Sequence, residues 1–200
     1  MKSKYDTREE WLHAAADLLR PIFKARASVA LPKNIRISCG FTSAGSRGKR
    51  IGECWSKQSS ADGTFEMFIV PMIDDPMRVL DITVHELVHA GVGLDKKHGP
   101  VFRKAAKAML LEGKMKATIG GDAFKADIGK PLLAKLGEYP HAALHGGLSS
   151  GPKKQATRLL KVWCPSCEYT TRITQKWIEI GVPQCPNEDC ERHGADMEVA

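Results

Sequence analysis

Val84-His85-Glu86-Leu87-Val88-His89-Ala90 is the stretch whose reading decides the rest of the chain. It has the form H-E-x-x-H, the short motif of zinc metallopeptidases. Residues four apart on a helix share a face, so His85 and His89 can both turn a ring nitrogen to one zinc ion. Glu86 lies about 100° further round. From there its carboxylate reaches a metal-bound water without being a ligand. Zinc lowers the pKa of such a water; a nearby carboxylate takes its proton and passes it to the leaving amine. The flanks predict a helix. Asp75-Pro76 supplies an N-cap and a proline at the first helical position. Leu80, Val84, Leu87, Val88 and Gly91 form the core stripe, with His85 and His89 beside it. Gly91 and Gly93 offer an exit. The plain alternative is a chance match on an ordinary amphipathic helix, and the residues that follow weigh against it.

A catalytic zinc wants three protein ligands and an open fourth position. His98, in Lys97-His98-Gly99-Pro100, precedes a helical pattern of Phe102, Ala105, Ala106 and Met109, so a short loop can bring it back over the metal. Asp95 is the rival, six residues after His89, where another zincin pattern places its ligand. That pattern also wants a glycine three residues after the second histidine. Val92 stands there, which favours His98.

With His98-Gly99-Pro100 and Phe102 following His85-Glu86-Leu87-Val88-His89-Ala90, the chain resembles the SprT-like metallopeptidase domain shared with the Spartan proteases. The likeness is closest over residues 75–116 and 158–190, and most like the small members from bacteria and their viruses. It implies an α+β, zincin-like domain followed by a zinc ribbon, and an endopeptidase acting on proteins bound or crosslinked to DNA. By position, His85, His89 and His98 would be ligands and Glu86 the general base.

Length and composition agree with one medium domain plus a small one. Of the 200 residues, 42% are hydrophobic and 26% charged, enough for a core. No apolar run is long enough to span a membrane. The start, Met1-Lys2-Ser3-Lys4-Tyr5, lacks the apolar centre of a signal peptide. The expected location is the cytoplasm, or the host's cytoplasm if the chain is viral. A net charge of +7 favours a polyanionic partner, though only weakly. Oligomeric state is not legible.

Thr7-Arg8-Glu9-Glu10 has the capping-box form and opens a helix carrying Leu12, Ala15, Leu19, Ile22 and Phe23, which Pro21 should kink or end. Strands are expected at 35–39, 52–56 and 65–70. Residues 42–50 read as a hairpin loop, either solvated or, through Arg47, Lys49 and Arg50, touching phosphate. Cys39 and Cys54 read as small core residues. In zincins an edge strand beside the metal pairs with extended substrate, and which strand is the edge is open. The third helix is expected to end at 113–116. Residues 117–155 are rich in Gly, Pro and Ala, with a short helical pattern near 131–136. His141 and His145 read as incidental. Tyr139 is a candidate donor to an oxyanion by residue type alone.

From residue 157 the character changes. Cys164-Pro165-Ser166-Cys167 and Cys185-Pro186-Asn187-Glu188-Asp189-Cys190 have seventeen residues between them, the spacing of a zinc ribbon with a widened second pair. His193 could replace Cys190. Four such ligands leave no open position, so this zinc would be structural. Lys153, Lys154, Arg158, Lys161, Arg172 and Lys176 are interleaved with Trp163, Tyr169 and Trp177. They read either as a grip on single-stranded or damaged DNA or as a solvated face around a tiny tryptophan core. The expected organisation is a metallopeptidase domain over 1–120, a loop or linker over 121–156 and the ribbon over 157–200. It would carry two Zn2+, one catalytic and one structural. The alternative of another class is a nucleic-acid-binding adaptor whose metal helix does not cut.

Overall fold

The computed structural model describes residues 3–145 and 159–200. It is mixed α+β with small sheets, and divides into two compact units, Met1–Leu148 and Ser149–Ala200. Among the described residues, no helix is long and apolar enough to cross a membrane.

The first unit is built on helix α2, Pro76–Val92. Asp75 caps it, its side chain accepting from the backbone N–H of Arg78 at 3.0 Å, and Pro76 follows at the first turn. Leu80, Val84, Leu87 and Val88 are fully buried, as the stripe requires. The helix stops at Gly93, whose φ of 95° a residue with a Cβ rarely adopts and whose N–H closes on His89 O. Helix α1, Arg8–Ile22, lays Trp11, Leu12, Ala15 and Leu19 into the same core. Its capping box is formed: Thr7 and Glu10 each bond the other's backbone N–H. Pro21 lies inside α1, and the chain opens two residues later into a wider turn over Phe23–Ala27.

Three strands pack on these helices: β1 Ile35–Cys39, β2 Gly52–Trp55 and β3 Phe65–Ile69. β3 is central, parallel to β1 and antiparallel to β2. Residues 40–51 are therefore a crossover, and the hairpin loop expected at 42–50 does not form, because β3 intervenes between β1 and β2. Both of those strands are edges of this sheet.

The chain after α2 departs further from expectation. Helix α3, Pro100–Ala108, ends earlier than 113–116, and Leu110 turns at φ 62° into a hairpin of β4, Leu111–Lys114, and β5, Ala117–Gly120. The stretch assigned to a linker, 121–156, belongs to the first unit as far as residue 145. Short α4, Asp122–Phe124, a wide turn Lys125–Gly129 and α5, Lys130–Leu136, place Phe124, Ile128, Leu132 and Leu136 in the core. Those four apolar residues recur every fourth position, and their burial outweighs the local glycine and proline content. The rest of the expected linker, 146–156, lies outside the described residues, as do Lys153, Lys154 and Arg158.

The second unit has a three-stranded sheet, with β6 Leu159–Trp163 between β7 Thr170–Thr174 and β8 Glu198–Val199. Its core is Val162, Cys164, Cys185 and Met197. The alternative of a tryptophan core does not form among the described residues, where Trp163 is half-buried and outside this cluster. Trp177, on α6 Gln175–Ile178, is 52% exposed and Tyr169 is 45% exposed.

Candidate metal centres

Helix α2 presents His85 and His89 one turn apart, and the loop after it returns His98. The three rings meet through one atom type. His89 Nε2 lies 3.1 Å and His85 Nε2 3.3 Å from His98 Nε2. Burial holds His85 at about 3 and His89 at about 4, well below an ordinary imidazole, with neighbouring histidines adding to the effect. Burial also lowers His98, and so does the Lys116 ammonium. The rings are thus neutral and keep lone pairs to offer. Three such lone pairs at this distance suit a shared cation and little else.

The supports come from other elements. Thr118 Oγ1, buried on β5, is 2.8 Å from His85 Nδ1 and fixes that ring's outer nitrogen. Asp81 ties β5 to α2: it accepts from Gly120 N–H at 2.9 Å and from Arg78 at 2.6 Å. The Phe102 ring lies under all three imidazoles, with centroids 5.0, 4.4 and 4.9 Å from His85, His89 and His98. Phe102 is fully buried, so the cluster sits on a dry floor.

Glu86 faces the same cleft, only 6% exposed. Burial pushes its carboxyl up to about 8, and Glu53 adds to the rise. A cation on the three nitrogens would draw it back toward the ionised form. Its room is made by Gly52 at the start of β2. A Cβ there would lie 2.7 Å from Glu86 Oε1 and 2.6 Å from Ile82 Cγ2. The cleft measures about 630 Å³, and one wall is the edge strand β2 with Gly52, Glu53 and Cys54.

The remaining candidates fall elsewhere. Asp95 points to solvent and pairs with Lys96 at 2.6 Å, so the histidine cluster forms without it. Tyr139 does not line the cleft. It packs edge-on to Trp11, buried, and its hydroxyl has no hydrogen-bond partner among the described residues. Cys39, Cys54, His141 and His145 join no metal group among the described residues. Cys54 is nonetheless part of the cleft wall. Thr118, Gly52 and Asp81 were not singled out from sequence, since they reach the site through strand placement that no local motif announces.

In the second unit Cys164, Cys167, Cys185 and Cys190 draw together, with sulfurs 3.8 Å apart for Cys164–Cys190 and 3.6 Å for Cys167–Cys185. Cys190, and not His193, completes the group. Backbone N–H groups point at the sulfurs, from Cys167 to Cys164, Tyr169 to Cys167, Asn187 to Cys185 and Arg192 to Cys190. The Tyr169 N–H is the largest influence lowering Cys167, and Cys164 is lowered as well, toward the thiolate that binds metal, while the neighbouring thiols push Cys185 and Cys190 up. Each unit therefore holds a group that could bind a metal ion, one of three histidines and one of four cysteines.

Comparison with protein-family models, with curated proteins and with solved structures finds no match.

Proposed function

We propose that this protein is a zinc-dependent endopeptidase of SprT-like, zincin-like type, cutting proteins bound or crosslinked to DNA. The observation that carries the reading is the convergence of three neutral Nε2 atoms beside a buried glutamate on the same helix. The spacing suits zinc. Nitrogens bonded tetrahedrally at 2.0–2.1 Å stand about 3.3 Å from one another, and thiolates at 2.3 Å about 3.8 Å. The histidine pairs at 3.1 and 3.3 Å and the sulfur pairs at 3.8 and 3.6 Å agree with both.

Zinc bound by His85, His89 and His98 would supply a Lewis acid for the carbonyl and an acidic water. The chain's own part follows from its geometry. Thr118 holds His85 in the orientation that keeps Nε2 free. Glu86 accepts the proton of the attacking water and returns it to the leaving amine. The edge of β2, which has no further strand partner among the described residues, accepts an extended peptide by main-chain hydrogen bonds, which bind any sequence alike. No transition-state donor is assigned, Tyr139 being outside the cleft.

The DNA link rests on the second unit. Lys161 stands 5.4 Å over the Trp163 ring and Lys176 5.1 Å over Trp177. With exposed Tyr169, these offer aromatic faces and cations to unpaired bases and phosphates. Tethering would raise the concentration of DNA-bound substrate at the cleft.

The test is cleavage by zinc-loaded protein with and without single-stranded DNA, beside Glu86→Gln. Cutting that DNA stimulates and that Glu86→Gln lacks is the expected result. If neither protein cuts while both bind DNA, the adaptor reading replaces the enzyme. Cutting that survives Glu86→Gln overturns the assignment of the base.

A further inference from the structure

The cleft around the histidine cluster is charged in one sense. Five basic side chains line it, Lys49, Arg50, Arg78, Lys97 and Lys116, against two acidic ones, Glu53 and Glu86. Pairing sorts these further. Arg50 is bonded to Glu53, and Glu53 is held in addition by Ser43 N–H and Oγ, both at 2.7 Å. Arg78 is bonded to Asp81. Glu86 is buried at the base of the site. Lys49, Lys97 and Lys116 remain, all exposed and with no ion-pair partner among the described residues. They come from three separate connections: the crossover before β2, the loop carrying His98 and the β4–β5 turn. The three lysines therefore line the cleft from three different connections and not along one stripe.

We propose that this cleft selects acidic peptide segments, with aspartate or glutamate side chains near the scissile bond held by Lys49, Lys97 and Lys116. The inference rests on the endopeptidase reading and names its substrate class. An extended chain along β2 sends successive side chains to opposite sides. Carboxylates on it would reach lysines on different walls, while lysine or arginine in the same places would meet like charge and a nearby metal cation. Peptide is favoured over nucleic acid because the lysines line the same cleft as the histidine cluster. An occupant they hold must lie across the metal, which a peptide needs for cutting and a phosphodiester strand would only obstruct.

The experiment measures fluorescence anisotropy of labelled peptides with one extended backbone and Asp/Glu, Ser or Lys/Arg flanks. The receptor is zinc-loaded, full-length Glu86→Gln, so binding is read without cutting. Acidic flanks should bind at least about ten-fold tighter than basic ones, the sum of several exposed charge pairs, and the margin should shrink as salt rises. Lys97→Glu and Lys116→Glu, singly and together, should erase or reverse the preference, while Lys104→Glu, an exposed change outside the cleft with the same charge change as either single reversal, should leave it intact. Equal binding of all three peptides overturns the proposal, as does a preference that survives both reversals. Loss of oligonucleotide binding in Lys97→Glu/Lys116→Glu, with peptide preference unmoved, assigns the lysines to nucleic acid and overturns it too. If the parent cuts acidic, neutral and basic peptides alike, the substrate class fails while the protease reading stands. If the acidic preference holds but the parent cuts nothing, the reverse is true.

Discussion

The histidine cluster and the cysteine cluster show two ways for a chain to gather metal ligands. His85, His89 and His98 are set by a large core that exists for other reasons, since α2 is anchored by Leu80, Val84, Leu87 and Val88 and the rings rest on Phe102. The cysteines have no such scaffold. Cys164 and Cys185 are themselves half of a core completed by Val162 and Met197. A three-ligand site on a rigid frame leaves a position for chemistry; a four-ligand site in a fragment this small is a substitute for the missing core. The same element would thus act as reagent in one unit and as structure in the other.

The sharpest way to break this contrast is to remove metal. Chelation should abolish amide-exchange protection across β6, β7 and β8, because structural zinc is worth about 10 kcal/mol or more to folding, and should leave α1 and α2 protected. Equal loss in both units would make the histidine site structural as well. Glu86→Gln should lower cleavage by about a hundred-fold or more with both metals still bound, measured by turnover beside metal content. Gly52→Ala comes next, because its Cβ must displace Glu86 or Ile82. Turnover should fall about ten-fold or more, with the melting of the second unit unchanged. Thr118→Val removes the bond to His85 and should weaken metal affinity at the histidine site about ten-fold or more, read by competition with a chromogenic chelator. The smallest effect is expected of His193→Ala, which should leave metal binding by the second unit where it was, as Cys190 already fills that place.

What could be read from the sequence was whatever lies within a turn or two along the chain. The H-E-x-x-H spacing, the Asp75 cap and the first cysteine pair are local and came through intact. His98 over Asp95, and Cys190 over His193, needed the loop geometry to decide them. Thr118 and Gly52 could not be found in that way, since each meets α2 only because a strand passes beside it. Tyr139 shows the converse error: residue type suggested an oxyanion donor, but packing on Trp11 holds it in the core. The bounds of the linker were less legible: the helical pattern at 131–136 marked α5, but nothing local announced that Phe124 and Ile128 ahead of it would also enter the core. Pro131 follows closely on the wide turn Lys125–Gly129, and the four-residue rhythm from Phe124 to Leu136 was the fuller signal.

The loop between His89 and His98 has a consequence for supply. These ligands are only nine residues apart, and the segment is already closed by its own bonds, Gly93 N to His89 O, Lys96 N to Gly93 O, Lys97 N to Leu94 O and Gly99 N to Lys96 O. Cys164 and Cys190 are twenty-six apart, so their ion closes a much longer loop. An ion at the histidines would have little ordering left to do, and it could exchange while the surrounding helices stay in place. The activity of such a protein would follow the free metal around it like a dial, on a timescale set by ligand dissociation and not by refolding.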